Sequence, residues 1–375
     1  MNMLKYTTGK IGLVFLLAVC TASCDENKTT GNAQKGNTPE YSEKSGTDAA
    51  SNASERSIDN TIDKLEGIIN EQHLNYAVGV TSVSGKPIEQ ITGEQELTKV
   101  ENDSVQRVLK QKRDNKERAE GPAKYIKMKG IELSPSMPRL DLRDYGLATS
   151  VKDQNPAGSC WAFGAVGTFE SNYKATKALD IDASEQYVIN CSGAGTSNGG
   201  LAFEVFSWMV SNKKNIDNEK ETPYKGEDGE CSLTPPKTNY YAIEWEFVDP
   251  NQDPSAIPAV QQIKEAMCKY GAISASVYVT ENFQYYKYDP DQPNKSYVFK
   301  EDQTFPGTNH AIVLIGWDDS KHSWLLKNSW GPNWGITCSS NGEASGYSKE
   351  KSGYMWIDYN TNNVGRRAAW IKVKR

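Results

Sequence analysis

The sequence is poor in histidine: it has three, His73, His310 and His322, in 375 residues. No cluster with metal-ligand spacing and no phosphate-binding glycine loop stands out. No metal and no cofactor is implied. A run of about 20 apolar residues, which a membrane-spanning helix needs, is also missing. So is a long basic tract. Lys and Arg total 42 against 48 Asp and Glu, a formal charge of −6. An acidic chain of this kind is a poor partner for nucleic acid. The one locally basic run, "KQKRDNKER" (Lys110 to Arg118), is interrupted by acids and reads as a solvated helix face. No internal repeat is visible, which excludes a solenoid.

What is there begins with "IGLVFLLAV" after Lys5 and Lys10, followed by small residues. This is the pattern of an export signal, and it makes disulfides permissible. "TASC" resembles a bacterial lipobox ending at Cys24, which implies lipidation of that cysteine and a membrane anchor. Residues 1–24 are then the signal. Residues 25–57 are Gly, Ser, Thr, Asn and charge, too polar to bury a core, and read as a flexible tether. From Ile58 the apolar residues Ile58, Ile62, Leu65, Ile68 and Ile69 fall at helical spacing. His73 to Gly93 has the look of strand and turn, and Val105 to Gly121 reads as an exposed helix. The prolines of "LSPSMPRLDLRDYG" mark a boundary, which closes a small polar module near residue 136.

Beyond it, Trp161, Phe163, Val166, Phe169 and Tyr173 repeat at helix period, and "LAFEVFSWMVS" does so again. After about residue 240 the runs "AISASVYV", "HAIVLIGW", "SWLLKNSW", "GYMWIDY" and "AAWIKVK" are short and rich in β-branched and aromatic residues. A helical half followed by a β half predicts an α+β protein with two lobes, about 151–245 and 246–375.

The chemistry centres on "DQNPAGSCWAFGAV" (Asp153 to Val166). Taken alone, Cys160 is a nucleophile, a half-cystine or a small buried hydrophobe. A nucleophilic thiol needs a lowered pKa, from a helix N-terminus or a nearby imidazolium. The helical period starts at Cys160. Of the histidines, His322 lies in a polar turn and His73 in the N-terminal module. His310 heads an apolar strand, which aims it rigidly. Asn328 in "LLKNSWGPNWG" offers an amide to hold the imidazole, with Trp330 to screen it. Gln154 and the backbone N–H of Cys160 supply candidate donors to an oxyanion.

In that order, "DQ…GSCWAF", "NHAIVLIGW" and "KNSWGPNWG" resemble the papain-like cysteine proteases, from about Met137 to near the C-terminus. The resemblance implies a two-lobed fold with a cleft between the lobes. It implies Cys160 as nucleophile, His310 as general base and acid, Asn328 as orienter and Gln154 as oxyanion donor. It also implies a Cys191–Cys231 disulfide, worth about 3 kcal/mol on chain-entropy grounds. A second family bridge is missing at both ends, where this chain has Ala157 and Ser197. The third maps onto neither Cys268 nor Cys338.

The resemblance further implies protein or peptide substrates bound extended along "NGGLAF". Asn198, Gly199 and Gly200 would pair with the substrate backbone. Leu201 and Ala202, with Ser276 and Thr308 from the other lobe, would line the pocket for the residue second from the scissile bond. With Leu201 and no acid in view, that pocket is expected to prefer apolar side chains. Residues 58–136 are expected to act as an inhibitory propeptide, released by cleavage in the Lys/Arg-rich stretch before Arg139. The segment Ile336 to Lys351 reads as an insertion, idle or restricting the cleft. Three activities stay open: an endopeptidase, an exopeptidase, or a non-catalytic surface binding module on the same scaffold.

Overall fold

Strand-forming residues crowd the second half of the chain, and the computed structural model gathers them into one mixed sheet. It describes residues 46–114, 124–128, 130–251, 253–338, 344–345 and 352–374. The strand order is Glu244–Phe247, Arg366–Lys372, Ile273–Val277, His310–Asp318, Ser323–Lys327, Tyr354–Asp358 and Val298–Phe299. Arg139–Asp141 adds to the far end of His310–Asp318. All pairings are antiparallel except that of Val298–Phe299. His310–Asp318 is buried along its whole length, as its near-continuous apolar sequence requires.

The helices are α1 (Gly46–Glu71), α2 (Ile88–Ile91), α3 (Lys99–Asp114), α4 (Cys160–Lys177), α5 (Glu185–Cys191), α6 (Ala202–Ser211), α7 (Val260–Tyr270) and α8 (Glu281–Tyr285). Two apolar cores result. One joins the inner faces of α4, α5 and α6 to Trp245, Phe247, Ala369 and Ile371. The other fills the β lobe. The last long strand serves both, because Ala369 and Ile371 face the first core while Ala368 and Trp370 face the second. Helix α4 lies close against the strand headed by His310. A Cβ on Gly164 would stand 3.2 Å from that of Ala311, so glycine sets this approach.

The N-terminal segment departs from the expectations in three places. Helix α1 begins at Gly46, inside the expected tether, where an alanine-rich stretch favours it. Residues 73–93 form turns, α2 and one isolated bridge, Val78 to Tyr286, with no ladder. Val78 and Val83 are buried in the β-lobe core, and that packing replaces strand pairing. Helix α3 starts at Lys99, before Val105, because Thr98 and Glu101 cap it: the Thr98 N–H and hydroxyl both donate to Glu101 Oε2 at 2.8 Å. The export signal, Cys24, residues 115–123 with the end of the basic run, and most of the 336–351 insertion lie outside the described residues. Among the described residues no helix is long and apolar enough to cross a membrane.

Candidate active site

Helix α4 begins at the thiol, so its unbonded N–H groups and the positive end of its dipole lie at Cys160. The Ala311 N–H donates to Cys160 Sγ at 3.4 Å, which sets the head of the His310 strand beside the sulfur. His310 Nε2 lies 2.8 Å from Asn328 Oδ1. An amide oxygen only accepts, so Nε2 carries the proton and Nδ1 is the basic nitrogen. The same oxygen accepts the Ser329 N–H at 2.8 Å, which fixes the amide's orientation. His310 Nδ1 is buried without a hydrogen-bond partner. The Trp330 ring lies 4.8 Å from the His310 ring, and both are fully buried.

Gln154 completes the group. Its Oε1 accepts the Ser329 hydroxyl at 2.6 Å, so Nε2 faces forward as donor. That nitrogen donates to Ile91 O at 3.1 Å and to Ala157 O at 2.7 Å. The second donor to the Ile91 carbonyl is the Trp330 indole, at 2.9 Å.

Ile91 belongs to a stretch of the N-terminal segment that runs through the site. The N–H groups of Gly93 and Glu94 donate to Asn309 O at 3.0 and 2.9 Å. Gly200 N–H donates to Gly93 O at 2.9 Å, and Gln95 N–H to Gly200 O at 3.1 Å. Glu94 therefore stands opposite Gly200, with the two chains parallel. Gly93 crosses so near Gly158 that a Cβ there would lie 2.0 Å from the Gly158 carbonyl oxygen. Gly199 also abuts this stretch, and Asn198 lies beside Gly158.

The covered site is electrostatically quiet. Burial, then the charge of Glu94, raises the Cys160 thiol pKa well above its usual range, although N–H groups of Ala311, Trp161 and Glu94 oppose this. Burial pushes His310 down to about 4 despite Asn328. Both groups are neutral under the segment.

Ser276 and Thr308 lie together beside charged groups. Glu94 is buried there, and its Oε1 accepts Ser276 Oγ at 2.7 Å and Arg367 Nη1 at 3.3 Å. Glu96 Oε1 accepts the Thr308 N–H at 2.8 Å and Arg366 Nη1 at 2.9 Å, while its Oε2 accepts Arg367 Nη2 at 2.6 Å. Leu201 and Ala202 are buried at the head of α6, in the helical-lobe core. Arg366, Arg367 and Ser329 were missed, although "GRRAAW" carried a signal: paired arginines leading into an apolar strand.

Cys191 and Cys231 form a disulfide, while Cys268 is free and buried. The stretches holding Ala157 and Ser197 are neighbours, since a Cβ on Gly158 would lie 2.8 Å from the Asn198 carbonyl carbon. Ser197 N–H instead donates to Asp228 Oδ1 at 2.6 Å. His322 lies far along the sheet, half exposed and paired with Asp358 at 3.1 Å. Among the described residues no group of three or more His, Cys, Asp or Glu could hold a metal ion.

Residues 137–364 match the papain family of cysteine proteases. Fruit bromelain of Ananas comosus is 32% identical over 208 residues, 55% of this chain and 54% of the relative. A cathepsin L-like protein of Caenorhabditis elegans is 31% identical over 231 residues, 60% of each. The chain thus spans little more than half the length of these relatives. Among solved structures, a recombinant stem bromelain precursor is similar in fold, with a TM-score of 0.61 and 23% identity. That match covers 90% of this chain and 95% of the precursor, so it takes in part of the N-terminal segment. A procathepsin L 3 of Tenebrio molitor gives 0.58 and 18%, over 85% of this chain and 90% of its own.

Proposed function

Because the chain belongs to the papain family of cysteine proteases, we propose that it is a cysteine endopeptidase made as a zymogen, with residues 58–136 as its propeptide and 137–375 as its peptidase domain. One observation carries the reading. Asn328 holds the proton-bearing nitrogen of His310, the opposite nitrogen has no hydrogen-bond partner, and the thiol that heads a helix accepts the N–H of the next residue, Ala311, at 3.4 Å.

In the proposed reaction Cys160 passes its proton to His310 Nδ1 once the segment leaves and water returns. The pair is then thiolate and imidazolium. The sulfur attacks the substrate carbonyl, and the oxyanion takes the Gln154 amide that now holds Ile91 O. His310 gives its proton to the leaving amine, and an acyl-enzyme forms. His310 then takes a proton from water, the hydroxyl attacks the thioester, and the acid leaves with Cys160 restored. Asn328 keeps the imidazole in register throughout, and Trp330 shields that hydrogen bond from water.

The test is processing. Cys160→Ala is expected to accumulate at full length while the wild type shortens to a form starting before Arg139. Normal shortening of the variant would mean that another protease activates it. A thiol-directed epoxide that fails to label Cys160 in the shortened protein would sink the peptidase reading. We also propose export, with residues 25–57 as a tether from a lipid on Cys24 at the cell surface. Intact mass of the membrane-extracted protein, with or without added acyl chains, decides this.

A further inference from the structure

We propose that this enzyme selects substrates with an acidic side chain, glutamate above all, at the residue second from the scissile bond. The inference rests on the peptidase reading above and names its substrate class. Four observations carry it.

Arg367 is 4% exposed, its Nη1 donates to Thr308 Oγ1 at 3.3 Å, and it shares the Glu94 carboxylate with the Ser276 hydroxyl. It arrives there through a defect in the sheet. The register between Arg366–Lys372 and Ile273–Val277 shifts between Arg366 and Ala369. Arg367 itself holds φ 52°, a conformation that costs a non-glycine residue of order 1 kcal/mol. Bulges of this kind re-aim a side chain, and they concentrate near active sites.

The carboxylates paired with Arg367 among the described residues are Glu94 and Glu96, and both leave with the segment. Activation therefore exposes a guanidinium with Ser276 and Thr308 hydroxyls beside it and its carboxylate partners gone. A cation walled by donors is a poor host for Leu or Phe, whose burial would strand the charge. It is a good host for a carboxylate, which it binds by charge-assisted hydrogen bonds.

The occupant of the pocket already has that chemistry. Glu94 stands opposite Gly200, and its side chain enters between Ser276 and Arg367. A substrate residue paired with Gly200 delivers its side chain to the same mouth. The reach is also right, because glutamate's two methylenes carry the carboxylate to Ser276 Oγ at 2.7 Å. Aspartate is one methylene shorter.

The experiment uses the processed enzyme and three fluorogenic peptides that differ only in Glu, Gln or Leu at that residue. We expect kcat/KM for Glu at least tenfold above Leu, with Gln between, and the difference mainly in KM. Arg367→Leu should reverse the order. Ser276→Ala, which changes little volume, should reduce the Glu advantage several-fold and guards against a folding defect in the first variant. A wild type that prefers Leu, or a Glu preference that survives both substitutions, overturns the assignment of the pocket and leaves the peptidase reading standing. Cleavage of none of the peptides by an enzyme whose Cys160 also resists the epoxide overturns both.

Discussion

Ser329 acts at both ends of the candidate site, although neither of its groups reacts. Its N–H fixes the Asn328 amide and its hydroxyl fixes that of Gln154. Behind these residues lies a charged interior, with Lys152, Glu170 and Glu185 joined at 2.9–3.0 Å. Lys327 donates to Thr149 Oγ1 at 2.9 Å, and burial depresses its pKa to about 8. An amine with a folded pKa below its unfolded value binds its proton less tightly in the folded state. The resulting penalty is full below pH 8 and fades as pH rises from 8 toward the unfolded 10.5. Lys327→Met should therefore melt higher than the wild type at pH 7, by a margin of at most about 3 kcal/mol. The margin should close by pH 10.5. Thermal melts across that range check it, and a margin that does not change with pH would assign the effect to packing.

At the scale of elements, the short stretch from Ile91 to Gln95 is what silences the site. It fits only because Gly93 slides across Gly158. Gly93→Ala would place a methyl group inside backbone atoms, and the stretch would have to lift, with a typical cost of 1–3 kcal/mol. We expect Cys160 in full-length Gly93→Ala to alkylate at least tenfold faster at pH 7 than in the unaltered chain, measured on ice before processing. Equal rates would mean that the stretch is held elsewhere. Periodicity made the catalytic elements readable. The helix starting at Cys160 and the strand headed by His310 carry unbroken apolar patterns, and both stand as read. The N-terminal elements were less readable, for two physical reasons. The start of α3 is set by the capping pair Thr98 and Glu101, which hydrophobic spacing does not register. Val78 and Val83 look strand-like but are buried against another lobe, so no local pairing gives them away. Arg367 was hidden more deeply, because a bulge breaks the alternation by which a strand's inward side chains are counted.

Across the whole molecule, the N-terminal segment touches both cores. Leu65, Ile69 and Tyr76 are buried in the β lobe, whereas Leu109 of α3 is buried in the helical lobe. The segment thus bridges the two cores. Its removal exposes apolar surface on each. Cys160→Ala, clipped with trypsin in the basic stretch and freed of its segment, should melt about 5–10 °C below the same variant intact, where each kcal/mol is worth about 2–4 °C. Equal melting temperatures would show that the segment covers the site without bracing the lobes.

The guanidinium of Arg367 holds Glu94 while the enzyme is silent and waits for a substrate's carboxylate once it is not. Diet and restraint thus share one side chain. A lineage that exchanged Arg367 for an apolar residue, to take different food, would in the same step loosen its own latch. The latch would then have to evolve a new Glu94 before the altered enzyme was safe to make.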